Sequence, residues 1–145
     1  MIQIIIYGGR KGRINMGFWF FMLICDLLIP AILMIAGRMM WKHCPKTINM
    51  AYGYRTKRSM TNMETWKFAH DYCGKLWWKL GFILLIPSFL IHIPFYGSND
   101  DVIGTLGVYV STIQTIVLIT SIIPVEIALK KTFSKDGVRK DSCNF

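Results

Sequence analysis

Residues 76–125 read LWWKLGFILLIPSFLIHIPFYGSNDDVIGTLGVYVSTIQTIVLITSIIPV, two long apolar runs parted only by Gly97, Ser98, Asn99, Asp100 and Asp101. A helix rising about 1.5 Å per residue needs about 20 apolar residues to cross about 30 Å of hydrocarbon. The run 76–96 meets that requirement if Lys79 snorkels from the helix end, and the run 102–125 meets it without any charge. So short a turn makes the two an antiparallel hairpin. Upstream, 17–37 forms a third span with Asp26 as its single charge.

Composition supports this reading. Of 145 residues, 53% are hydrophobic and 17% charged, and the mean hydropathy is +0.40. An ordinary soluble domain carries more charge, and a disordered chain far fewer apolar residues. The expected fold is all-α and multi-pass: three transmembrane helices (17–37, 76–96 and 102–125) joined by a loop at 38–75. A segment at 1–16 precedes this 17–140 membrane domain and a tail at 141–145 follows it. A cleaved signal peptide fits residues 10–37 poorly, because the run is too long, contains Asp26 and lacks a small-residue cleavage site.

Basic residues near span ends stay on the cytoplasmic side. Arg38, Lys42, Lys46, Arg55, Lys57, Arg58, Lys67, Lys75 and Lys79 lie in the segment 38–79, and Lys130, Lys131, Lys135, Arg139 and Lys140 follow the third span. The turn at 97–101 has two acids and no base. Loop and C-terminus are therefore expected inside, against the pull of Arg10, Lys11 and Arg13, which places the N-terminus outside in a cell membrane. Trp41, Trp77 and Trp78 then mark the inner interface, Trp19 and Tyr96 the outer one. The same bias explains the net charge of +9 without a nucleic-acid partner. Cys25, Cys44, Cys73 and Cys143 form no disulfide framework in this topology.

Within the loop, Thr61 and Glu64 have the spacing of a capping box. After them Trp66, Ala69, Cys73, Leu76 and Trp77 recur at helical spacing, opposite a charge-balanced face of Glu64, Lys67, Asp71 and Lys75. This predicts an amphipathic interfacial helix running into the second span. Upstream, Gly53 permits a turn, and Arg55 beside Thr56 and Ser59 groups a forked cationic donor with two hydroxyls. That set suits a carboxylate, a phosphate or exposed helix-end carbonyls; the plainer alternative is a basic loop among lipid headgroups.

Pro45, Ile48, Asn49, the run Gly53-Tyr54-Arg55-Thr56, Ser59-Met60, Trp66, Ala69-His70 and Gly74 together resemble the signature of the SdpI-like family, that of the immunity protein against the sporulation-delaying toxin. Pro124, Glu126, Leu129, Phe133 and Gly137 are similar to its closing segment. The resemblance implies a multi-pass bacterial membrane protein, with members that protect the producer from a secreted membrane-active peptide. It makes Asn49, Gly53, Tyr54, Arg55, Thr56, Ser59, Trp66 and His70 the motif residues for a toxin or partner.

Asp26 is costly in a bilayer, at least about 2.5 kcal/mol, and so needs a partner. Counting about 1.5 Å per residue from the outer ends puts Asp26 about 13 Å deep, Tyr109 and Thr112 at about 10–15 Å and His92 at about 6 Å. Tyr109 or Thr112 is then the expected partner, with Glu126 a further polar group in the spans. The site is either a proton or ligand site or a structural bond between spans. Gly107, Ser111 and Thr115 make a small-residue seam for another span or a second protomer. Pro87, Pro94 and Pro124 are expected to kink their helices.

His43, Cys44, His70 and Cys73 are four zinc-type ligands on one side, but adjacent ligands chelate poorly, so neither a metal nor another cofactor is expected. No nucleophile, base and orienting acid cluster, and a transferase using Arg55, His70 and Asp71 would need groups about 100° apart on one helix to converge. With no catalytic set in the sequence, the resemblance implies a non-enzymatic immunity protein with the bilayer and a peptide toxin as partners. The alternatives are a signalling protein holding a cytoplasmic regulator, or a small transporter or lipid-handling protein.

Overall fold

A computed structural model describes residues 16–48 and 53–140. Four α-helices follow in order: α1 (Met16–Lys42), α2 (Met63–His92), α3 (Asp100–Thr120) and α4 (Ile122–Thr132), with a 3₁₀ turn at Ile93–Phe95 between α2 and α3. Among the described residues there is no strand, only an isolated antiparallel bridge between Phe133 and Arg139. Three helical stretches are long and apolar enough to cross a membrane: α1, α2 with its 3₁₀ turn, and α3 continued by α4.

Each of the three stretches is longer than its expected span, because backbone hydrogen bonding does not stop where lipid does. The amphipathic segment runs into the second span as expected. It is the first part of α2, whose 30 residues measure about 45 Å, more than the hydrocarbon needs. The third span bends at Ser121, where Pro124 has no N–H for the carbonyl of Thr120. Ser121 Oγ accepts from the Trp77 indole at 3.0 Å, tying the bend to α2. Pro94 likewise ends α2 and opens the 3₁₀ turn.

Burial is inverted relative to a water-soluble protein. Phe20, Ile24, Leu28, Ile32 and Ile35 of α1, Ile83 and Ile86 of α2 and Val108, Ile113 and Ile116 of α3 face outward, while Asp26, Ser88, His92 and Gln114 are buried. Surrounding lipid explains both halves of that pattern.

α1 and α2 run antiparallel with their backbones almost touching. A Cβ on Gly37 would lie 2.6 Å from Trp78 N, and one on Gly74 would lie 2.6 Å from Trp41 N. Gly81 packs against Met34 in the same way. The small-residue seam on α3 works more locally: Gly107 sits against Met22 and Asp26, and Thr115 is exposed. Trp19 and Tyr96 pack at one end with ring centroids 5.1 Å apart. At the other end Arg38 lies 5.5 Å over Trp78 and Lys75 lies 5.9 Å from Trp41.

The α2 N-terminus corrects the expected cap. Asn62, not Thr61, is the cap: its side chain accepts from Thr65 N at 2.9 Å, and Thr65 Oγ1 accepts from Asn62 N at 3.1 Å. Thr61 instead donates back to Lys57 O, and Glu64 faces Arg139 at 3.7 Å rather than Lys67. On that face Asp71 and Lys75 do pair, at 2.7 Å. Asn62 also donates to Gly137 O at 2.8 Å, holding the C-terminal turn. Asn62→Ala should therefore cost about 1–2 kcal/mol, read as a lower unfolding midpoint in mild detergent, while Thr61→Ala should change it by well under half as much.

Candidate functional site

Two sites emerge, one at the basic end of the bundle and one inside it.

At the basic end the loop folds onto α2 and α4. Tyr54, Met40, Ala69, Cys73, Val125, Leu129 and Phe133 form a single buried cluster, with Phe68, Leu76 and Trp77 packed against it. The loop is tied down by its own hydroxyls. Thr56 N donates to Ser59 Oγ at 2.9 Å and Ser59 N to Thr56 Oγ1 at 3.2 Å. Thr65 Oγ1 lies 3.1 Å from Ser59 O and 2.9 Å from Asn62 O, with one proton to give. Such reciprocal bonds satisfy backbone groups that no strand or helix supplies.

His70 closes the loop onto the helix. Its Nδ1 lies 2.8 Å from the carbonyl of Trp66, so this nitrogen must donate, and its Nε2 accepts from Tyr54 N at 3.2 Å. Only the neutral imidazole with a proton on Nδ1 satisfies both partners. The Tyr54 hydroxyl then reaches Glu126 Oε1 at 3.1 Å on α4. Burial first, and then the Glu126 carboxylate, push the Tyr54 phenol far above its ordinary value, so it stays a donor.

Ser59, Trp66 and His70 are fully buried and Tyr54 nearly so. These motif residues build the unit from inside; what it presents outward is Arg55, exposed, and the half-buried Thr56. Arg55 and Thr56 border a cleft of about 320 Å³ whose other walls include Ala36, Met40, Trp77 and Ile122. Asn49 lies outside the described residues. A second cleft, of about 700 Å³, is lined by Thr56, Lys57, Arg58, Thr61, Glu126 and Lys135.

The other sequence-derived groupings are not brought together. Among the described residues no three His, Cys, Asp or Glu side chains gather as a metal site. His43 is exposed, Cys44 reaches only Pro45 O at 3.7 Å, Cys73 is buried in the cluster, and both His70 nitrogens are committed. Asp71 is exposed and paired with Lys75, turned away from His70.

Inside the bundle, the partners expected for Asp26 prove wrong. Tyr109 is 66% exposed, and Thr112 bonds its own helix at Val108 O. Asp26 instead accepts from Ser111 Oγ at 2.7 Å through Oδ1 and faces His92 Nε2 at 3.2 Å through Oδ2. Counting residues misplaced His92 because it located Cα atoms. Side chains lean toward their own helix N-terminus, so in antiparallel helices Asp26 and His92 lean toward each other.

Two residues that pattern reading passed over complete the cluster. Gln114 Nε2 donates to Asp26 O at 2.9 Å and to Ser88 Oγ at 2.8 Å, and His92 Nδ1 lies 2.8 Å from Ser88 O. Pro30, four residues after Asp26, has no N–H for that carbonyl, which is why Gln114 takes it. The signal was present: an amide side chain within a span, and a proline four residues beyond the charge.

The model of the SdpI/YfhL protein family matches residues 46–125, from the loop through α2 and α3 into α4. The chain belongs to the SdpI/YfhL family. Against the Uncharacterized protein YfhL of Bacillus subtilis (strain 168) it is 30% identical over 87 residues, 60% of this chain and 74% of that protein. No solved structure matches. Within this SdpI/YfhL member, the motif loop, His70 and His92 lie inside the matched residues, while α1 with Asp26 lies ahead of them.

Proposed function

We propose that this SdpI/YfhL member is a bacterial immunity protein that protects its producer from a secreted membrane-active peptide, with its basic end in the cytoplasm. The observation that carries the reading is the family match over 46–125, because those residues include Tyr54, Ser59, Trp66 and His70 at the centre of the unit on the basic end. The positive-inside bias supports the orientation. The cleft beside Arg55 combines apolar walls (Ala36, Met40, Trp77, Ile122) with a cation at its edge. It suits an apolar peptide segment ending in a carboxylate, which Arg binds with two parallel hydrogen bonds.

Purified protein co-reconstituted into dye-loaded vesicles tests this. A sporulation-delaying-type peptide should release dye several-fold more slowly than from vesicles without protein, and Arg55→Ala should return release most of the way to the protein-free rate. Equal release with and without the protein would refute it.

One observation favours a second reading. Lys57, Arg58 and Lys135 surround the larger cleft, and none of them pairs with a carboxylate among the described residues. That surface suits an acidic cytoplasmic regulator. Its mark would be copurification of a soluble protein that is lost in an Arg58→Glu, Lys135→Glu double variant.

A further inference from the structure

The polar cluster between α1, α2 and α3 is short of protons. His92 Nδ1 must donate to Ser88 O, 2.8 Å away, so Nε2 of the neutral ring is an acceptor. The Asp26 Oδ2 that faces it at 3.2 Å is an acceptor too when the carboxyl is ionised. Both atoms, and Gln114 Oε1 beside them, are buried with no donor among the described residues. Two bare acceptors face to face in a water-poor interior repel each other, and each would forfeit a hydrogen bond. One added proton removes the conflict: it bonds Oδ2 to Nε2 and takes the pair from net −1 to neutral, whichever atom holds it.

Among the described residues no other charge faces the pair. Trp19 from α1, Ser88 from α2 and Ser111 and Gln114 from α3 face the pair, and all four are uncharged. Ser111 donates to Asp26 and is only half-buried, lining a cleft of about 400 Å³ with Thr112, Thr115 and Gly107 on the outer face of α3. Gly107 puts no side chain of its own between that cleft and Asp26 Oδ2, where a Cβ would lie 3.3 Å from the carboxylate, and the Met22 methyl covers the gap.

We propose that Asp26 and His92 form a proton-binding site within the membrane, which takes up and releases one shared proton. Carboxylates and imidazoles buried between spans serve such roles, and this assignment does not depend on the immunity reading.

The test uses the full chain in neutral-lipid vesicles, with aspartate carboxyls ¹³C-labelled and histidine rings ¹⁵N-labelled, followed by solid-state NMR between about pH 5 and about pH 9, on both sides of neutrality. The Asp26 and His92 signals should change together in one step. Asp26→Asn keeps an acceptor for Ser111 and offers an amide N–H to Nε2, so it should fold and hold His92 neutral, abolishing the step. If that variant fails to insert, His92→Gln reads the same coupling from the Asp26 signal, which should then lose the shared step. Two independent steps, an unchanged step in either variant, or signals that never move in the wild type would overturn the proposal.

Discussion

Gly74→Ala is expected to loosen the α1–α2 pair and to lower stability by about 3 kcal/mol or more, at or above the top of the range for one added methyl in a packed interior. The new Cβ would lie 2.6 Å from Trp41 N and 2.7 Å from Gly37 O. These are backbone atoms of a helix, which cannot rotate aside as a side chain does, so the helices must separate. Separation also strips contact from Gly37, Gly81 and their partners along the seam. Gly104→Ala is the matched control, because its nearest neighbour is a Phe18 ring atom at 3.8 Å, an ordinary contact. Unfolding in mild detergent should show a clearly lower midpoint for Gly74→Ala and almost none of that shift for Gly104→Ala. Equal midpoints would mean that the seam does not hold the helices together.

Gly53→Ala is expected to dismantle the motif loop. Gly53 has φ of +109°, a conformation that strains any residue with a Cβ by about 1–3 kcal/mol. The Cβ would moreover overlap His70 Nε2, expelling the atom that accepts from Tyr54 N. Strain and displacement together should cost about 2–5 kcal/mol. Tyr54 would leave the cluster it shares with Ala69, Cys73 and Phe133, and its hydroxyl would lose Glu126. Limited proteolysis in native membranes should then cut near Arg55, Lys57 and Arg58 much faster than in the wild type. Removing the ring as well, in Gly53→Ala with His70→Ala, relieves the overlap but not the strain. The double variant should thus cost less than the sum of the two single changes.

The spans were legible because insertion into lipid depends on local composition, and a charge-free run such as 102–125 has few alternatives. Their ends were not, since α1 and α2 continue past the lipid on backbone bonding alone. The loop shows a different limit. Ser59, Trp66 and His70 read as motif residues for a toxin or partner, and the structure buries all three. The loop folds back over them, with Tyr54 N on His70 and Ser59 Oγ on Tyr54 O, and is itself held by contacts such as Tyr54 with Glu126 and Asn62 with Gly137 that local pattern does not encode. Asn62 and Thr61 are both good caps in isolation, and the turn at Gly137 decides between them. For Asp26, position along the axis was legible and side-chain direction was not, which moved the partnership from Tyr109 and Thr112 to His92 and Ser111. Pro30 four residues beyond Asp26 was a readable clue to Gln114.

The most direct test is survival. A toxin-sensitive bacterium expressing this chain, challenged with a sporulation-delaying-type peptide, should survive at concentrations that kill cells carrying an empty vector. Cells expressing Arg55→Ala at the same membrane level should lose most of that protection. Killing of wild-type-expressing cells at the same concentration as the empty-vector control, with the protein confirmed in the membrane, would contradict the account.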